Sequence, residues 1–143
     1  MPNARRIMEI LEVVARDVIP ETRIGSRIAA AVVHKGRIIS IGTNRKKTHP
    51  FQAKFGKNDE AIYLHAETDA IQRAMRATIG NPIGFEKCHF YIFRSKWHDD
   101  LGFLGTGLAK PCAGCTRAIE AYGFKTVTYT LDGKSFQTFD SLD

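Results

Sequence analysis

Lys110-Pro111-Cys112-Ala113-Gly114-Cys115 opens a short apolar-periodic segment that continues to Tyr122 and stops at Gly123. Proline suits the first turn of a helix and glycine the residue after its last, so the spacing predicts a helix over Cys112 to Tyr122. Cys112 and Cys115 are three apart, which on a first helical turn lets both sulfurs point the same way. The positive end of the helix and its unpaired N–H groups favour the thiolate form of such cysteines. A second stretch, Leu64-His65-Ala66-Glu67, opens another periodic segment, with Leu64, Ala70, Ile71, Ala74 and Met75 at helical spacing and Gly80-Asn81-Pro82 ending it. Residues two apart do not share a face inside a helix. His65 and Glu67 therefore reach one pocket only if they sit where the helix begins.

Around these two stretches the chain alternates helix and strand. Arg5 to Val18 places Ile7, Leu11, Val14 and Val18 at spacings of three and four, an amphipathic helix. Ile28 to His34 and Arg37 to Ile41 are short β-branched runs separated by Lys35-Gly36, which predicts a tight hairpin. Gly42 to about Asp59 is polar and without period, and reads as a long loop. Lys87 to Arg94 reads as a mostly buried strand, Ser95 to Lys110, with three glycines, as a second long loop, and Thr126 to Thr130 as another strand. Asp132-Gly133 then looks like a turn into Ser135 to Phe139, because the 13 residues after Thr130 are too few for a parallel crossover. The order α-β-β-α-β-α-β, with an antiparallel hairpin at its start, predicts helices on both faces of a mixed sheet.

At 143 residues the chain has the size of one ordinary domain, expected to span residues 1–143. With 43% hydrophobic and 25% charged residues it is too apolar for a disordered chain. No apolar run approaches the roughly 18 residues that would cross a bilayer. Lys plus Arg number 21 against 15 Asp plus Glu, a formal charge of +6 that favours an anionic partner such as a nucleotide phosphate or a nucleic acid. The cations are scattered, so a merely solvated surface accounts for them equally well. Three cysteines, an odd number, argue against a disulfide framework, and the N-terminus lacks a signal-peptide layout; a cytoplasmic protein is expected.

One imidazole and two thiolates suit zinc, and a fourth position left to water would make the site catalytic rather than structural. A carboxylate at Glu67 could then take a proton from an activated water and deliver it to a leaving group. Taken alone, Cys-x-x-Cys is equally a redox pair and His-x-Glu a chance triplet. Together, in this order and with proline before the first cysteine, they form the signature of the zinc-dependent nucleobase deaminases. On these residues, and over essentially the whole chain, the sequence resembles the cytidine deaminase-like superfamily.

That resemblance implies a three-layer α-β-α fold around a five-stranded mixed sheet. It implies Zn2+ held by His65, Cys112 and Cys115, with Glu67 as the proton carrier. It also implies sugar binding by an asparagine after the second strand, for which Asn44 stands in place, and a base held by the Ala66 backbone; a turn-shaping role for Asn44 remains open. Histidine rather than cysteine at position 65 resembles the deoxycytidylate, tRNA adenosine and polynucleotide deaminases, whereas the antiparallel C-terminal hairpin resembles the free-nucleoside branch. Arg45, Lys46, Lys47 and His49 could face a phosphate, and Phe51, Phe55, Trp97 and Phe103 could stack on a base or pack beneath their own loops. The expected activity is hydrolytic deamination of cytosine in a free nucleotide or nucleoside, with deoxycytidylate foremost, by a homo-oligomer. The alternatives are deamination within single-stranded DNA or RNA, and a non-catalytic zinc-stabilised binding module.

Overall fold

In the computed structural model, which describes residues 4–18, 27–44, 65–98, 103–111, 113–131 and 135–139, the first helix, α1, spans Ala4–Arg16 and buries Ile7, Met8, Leu11 and Ala15. The hairpin follows as strands β1 (Arg27–His34) and β2 (Arg37–Thr43). Its two turn residues, Lys35 and Gly36, both have positive φ (50° and 75°), the pair of left-handed conformations that matches strand twist in a two-residue turn. Helix α2 (Ala66–Ala77) comes next, then a single 3-10 turn at Phe85–Lys87 and strand β3 (His89–His98).

Beyond His98 the structure departs from the expectation of a long loop over Ser95 to Lys110. β3 runs to His98 and pairs antiparallel with a strand β4 (Phe103–Gly107), in the register Arg94↔Gly107 to His98↔Phe103. Glycine weakens a strand and hides it from propensity, and β4 has Gly105 and Gly107 on one face. What stabilises it is the partner: a Cβ at Gly107 would lie 3.0 Å from Lys96 Cβ and 3.3 Å from Arg94 Cδ, so these long stems already fill the space above it.

Helix α3 (Ala113–Tyr122) leads to strands β5 (Thr126–Thr130) and β6 (Phe136–Phe139). Gly123, at φ 71°, closes the helix by donating its N–H to Ile119 O and Glu120 O, both at 3.1 Å. Beneath that end Phe124 stacks on Phe85 at 5.0 Å and meets Phe90 edge-on at 4.9 Å.

The sheet order is β2-β1-β3-β5-β6, with β4 joined to the far half of β3. β3 is antiparallel to β1 and parallel to β5, and β5 is antiparallel to β6, the terminal hairpin expected from Thr130 onward; its turn at Asp132-Gly133 lies outside the described residues. Strand alternation assigns the two faces. Ala30, Val32, Phe90 and Ile92 pack with Ala66, Ala70, Ile71 and Ala74 of α2 and with Ala118 and Ile119 of α3. Ala29, Ala31, Val33 and Phe93 pack with α1. The result is the three-layer α/β arrangement around a mixed sheet, with six strands among the described residues rather than five. Among those residues no helix is long and apolar enough to cross a membrane.

Candidate active site

The start of α2 is pressed against β2 at two positions. Ser40 donates its hydroxyl to Ala70 O at 2.7 Å, and Gly42 has no room for a Cβ, which would run into the backbone of Ala66 and Ala70. Glycine is required here for close approach of two backbones, in a segment that reads from the sequence as the edge of a loop.

His65 is the N-cap of α2, with extended φ/ψ (−91°, 156°), and its side chain makes no capping bond. Its carbonyl instead receives the Asp69 N–H (3.0 Å) and the Thr68 hydroxyl (3.3 Å). The imidazole turns to α3: Cys115 Sγ lies 3.3 Å from His65 Nδ1, across fifty positions of sequence. Cys115 is fully buried. Nitrogen and sulfur ligands at the tetrahedral angle on one zinc would stand about 3.6 Å apart, given bonds of about 2.0–2.1 and 2.3 Å, so the pair is placed to share such an ion. Cys112 lies outside the described residues, and among those described no group of three or more His, Cys, Asp or Glu surrounds a common point.

Glu67, in the first turn of α2, is 4% exposed. His65 at the cap and Glu67 just inside the helix is the placement that the spacing of this triplet demands.

Two further residues complete the frame. Asp69, buried in the same turn, accepts the Thr43 N–H at 3.1 Å through Oδ2 and the Arg73 Nε–H at 3.1 Å. It thereby ties the end of β2 to α2. The sequence shows Asp69 and Arg73 at a spacing of four, a pattern that ordinarily marks a solvated helix pair, and the 45% exposure of Arg73 beside 6% for Asp69 is invisible in it. Asn44, expected at the sugar, accepts the Ile28 N–H through Oδ1 at 2.8 Å, while its own N–H donates to Ile28 O at 3.3 Å. Its side chain is thus held in a fixed place at the end of the β1–β2 ladder. Ala66, expected beside the base, is the first residue of α2 and fully buried. Arg45, Lys46, Lys47, His49, Phe51 and Phe55, and the side chains of Trp97 and Phe103, lie outside the described residues.

Comparison with known proteins bears on the family and the fold. The family model described as the cytidine and deoxycytidylate deaminase zinc-binding region matches residues 1–131. A search of curated proteins found no significant match. Among solved structures, dCMP deaminase from the cyanophage S-TIM5 in complex with dCMP and dUMP superposes with a TM-score of 0.54 at 19% identity, covering 87% of this chain and 78% of that one. Cytidine deaminase from Burkholderia pseudomallei gives 0.62 at 12% identity, covering 96% and 92%. Guanine deaminase from Bacillus subtilis gives 0.54 at 21%, covering 90% and 64%. At these identities the likeness is one of fold.

Proposed function

We propose, for a chain that belongs to the cytidine and deoxycytidylate deaminase zinc-binding family, hydrolytic deamination of cytosine in a free nucleotide or nucleoside, with deoxycytidylate the foremost substrate. The observation that carries this reading is the 3.3 Å approach of Cys115 Sγ to His65 Nδ1, with buried Glu67 in the adjoining helical turn. His65, Cys112 and Cys115 hold Zn2+, which supplies an activated water at neutral pH when bound. Glu67 accepts the proton of the attacking water and passes it to the ring nitrogen beside the carbon under attack. The same carboxyl then protonates the amino group, which leaves as ammonia. Asn44 positions the sugar and the Ala66 backbone holds the base. The low exposure of Glu67 serves this role, since excluding water keeps its proton for the substrate.

The protein acts as a homo-oligomer in the cytoplasm, a compartment suited to its odd cysteine count. A single-stranded nucleic acid as substrate is the second reading, favoured by the charge of +6. A zinc-stabilised binding module is disfavoured by Glu67, since a purely structural metal needs a fourth ligand and no proton carrier.

Zinc-loaded protein incubated with cytidine, deoxycytidine, their mono- and triphosphates, adenine and guanine counterparts, and single-stranded DNA and RNA, with products read by mass, decides among these. Conversion of deoxycytidylate to deoxyuridylate is the expected result. No ammonia from any of them, with zinc bound, overturns the enzyme reading.

A further inference from the structure

The register of the sheet sets residues on the site face into rows. Gly42, Ala30 and Ile92 form one row, directly under the start of α2. Two residues further along, about 7 Å at strand rise, the next row is Asn44, Ile28, Arg94 and Gly107. Ile28 packs against the α2–α3 cluster, which fixes the side to which Arg94 belongs, and Lys96 follows on the same face. The β4 residues opposite these cations are Gly107 and Gly105, so no β4 side chain stands over this part of the floor.

Arg94 is half-buried and makes no ion pair among the described residues. Its side chain makes one hydrogen bond, from Nη1 to Leu108 O at 3.2 Å, and its Nε is buried without a hydrogen-bond partner among the described residues. Leu108 belongs to the segment that leads to Pro111 and α3, so the guanidinium sits beside the chain that delivers Cys115. A partly desolvated guanidinium with no carboxylate beside it among the described residues is a place for an anion, and its planar fork fits a phosphate. The position is two strands from Asn44, about 10 Å at inter-strand spacing, on the side of the row away from β2. That spacing suits a ligand whose sugar lies near Asn44 and whose charged end reaches further across the sheet.

We propose that Arg94, seconded by Lys96, holds the phosphate of a nucleoside 5′-monophosphate. The inference rests on the deaminase reading and narrows its substrate to a phosphorylated one. Two cations on one short hairpin match the charge of a single phosphate monoester; a polynucleotide would need cations continuing along a groove.

The test compares wild type, Arg94→Ala and Arg94→Lys, all zinc-loaded, on deoxycytidine 5′-monophosphate and deoxycytidine. Arg94→Ala raises KM for the monophosphate by about 10- to 100-fold, the loss expected of one charge-assisted contact. It leaves kcat and the rate on deoxycytidine unchanged, and Arg94→Lys restores part of the loss. Calorimetry with the 5′-monophosphates and free nucleosides of uracil, hypoxanthine and xanthine gives a readout that needs no turnover. Affinity for a monophosphate falls in Arg94→Ala by the same factor, and affinity for its nucleoside does not. Equal losses on phosphorylated and unphosphorylated ligands, or no loss on either, overturn the proposal. So does a single-stranded oligonucleotide bound more tightly than any monophosphate. Should no base be deaminated while Arg94→Ala still weakens monophosphate binding selectively, the subsite stands and the deaminase reading falls.

Discussion

The α1 side of the sheet and the α2–α3 side draw on the same two central strands, β1 and β3, and differ in what they bury. Against α1 lie Ala29, Ala31, Val33 and Phe93, facing Ile7, Met8, Leu11 and Ala15, an apolar contact throughout. The charges of α1 stay outside as spaced pairs, Arg5 with Glu9 and Arg16 with Glu12, and such exposed pairs contribute only about 0.3–0.5 kcal/mol each. Among the described residues a pocket of about 410 Å³ lies beside α1, with Met8, Phe93, Thr130 and Phe136 in its floor and Arg5, Glu9, Glu12 and Arg16 along its rim. On the other side a single turn of α2 buries Glu67, Thr68 and Asp69, and Ser40 lies beneath it. Buried carboxylates cost stability unless something answers them. Asp69 is answered by Thr43 and Arg73, and its bonds serve the frame. The buried carboxylates are thus concentrated where α2 begins and α3 approaches, whereas the buried polar residues of the α1 side, Ser95, Thr106, Thr128 and Thr130, are all uncharged hydroxyls.

The sharpest way to break this division is at Glu67. Glu67→Gln removes the proton carrier proposed above while keeping its shape, and turnover falls by about 10²- to 10⁴-fold. Zinc content measured on the purified variant stays at the wild-type level, because Glu67 is not among the three residues proposed to hold the metal. A variant that keeps the wild-type rate with its metal in place would remove the proton-transfer role. Next in size is Leu11→Ala on the other face. Deleting a fully buried leucine there costs about 2–5 kcal/mol of unfolding free energy by denaturant titration. Zinc affinity and kcat, measured well below the melting transition, are unaffected. If Leu11→Ala loosens the metal, the two faces are coupled and the division is wrong.

The halves of the site are legible because their chemistry is local. Pro-Cys-x-x-Cys and His-x-Glu each declare a helix start, and strand alternation in β1 and β3 declares a sheet buried on both sides. What brings Cys115 to His65 is not local. It depends on Gly42, whose missing side chain matters only once α2 lies on it, and on Ser40 and Asp69, whose partners are 30 and 26 positions away. β4 escapes reading for a related cause. Glycines at alternate positions signal a loop when judged alone, and they become a strand because the stems of Arg94 and Lys96 fill the space that Gly107 leaves. The cation row that results cannot be seen until β4 is placed.

Gly42→Ala tests how tightly the polar side is assembled. A methyl group there must displace the backbone of Ala66 and Ala70, and overpacking of this kind costs about 1–3 kcal/mol. Because His65 immediately precedes Ala66, zinc binding weakens along with the melting temperature. Gly80→Ala is the control, with nothing within 4 Å of the added carbon, and it leaves both unchanged. Gly42→Ala protein that melts and binds zinc like wild type would mean that α2 does not need its close seat on β2.

The smallest effect belongs to the apolar side. His89 pairs in register with Val33 and Thr126, at the far end of that face, with Nδ1 2.6 Å from Thr126 Oγ1. Burial first, and the Lys125 charge second, push its pKa below the ordinary 6.5. The folded state therefore binds fewer protons than the unfolded chain just below that value. The stability His89 contributes is present above about pH 6.5 and is lost as pH falls through the lowered pKa. Melting temperatures taken from pH 7 to pH 5 should fall more steeply in wild type than in His89→Gln, by a small margin because the ring is half-exposed. Identical slopes would mean that the imidazole takes up its proton equally well folded and unfolded.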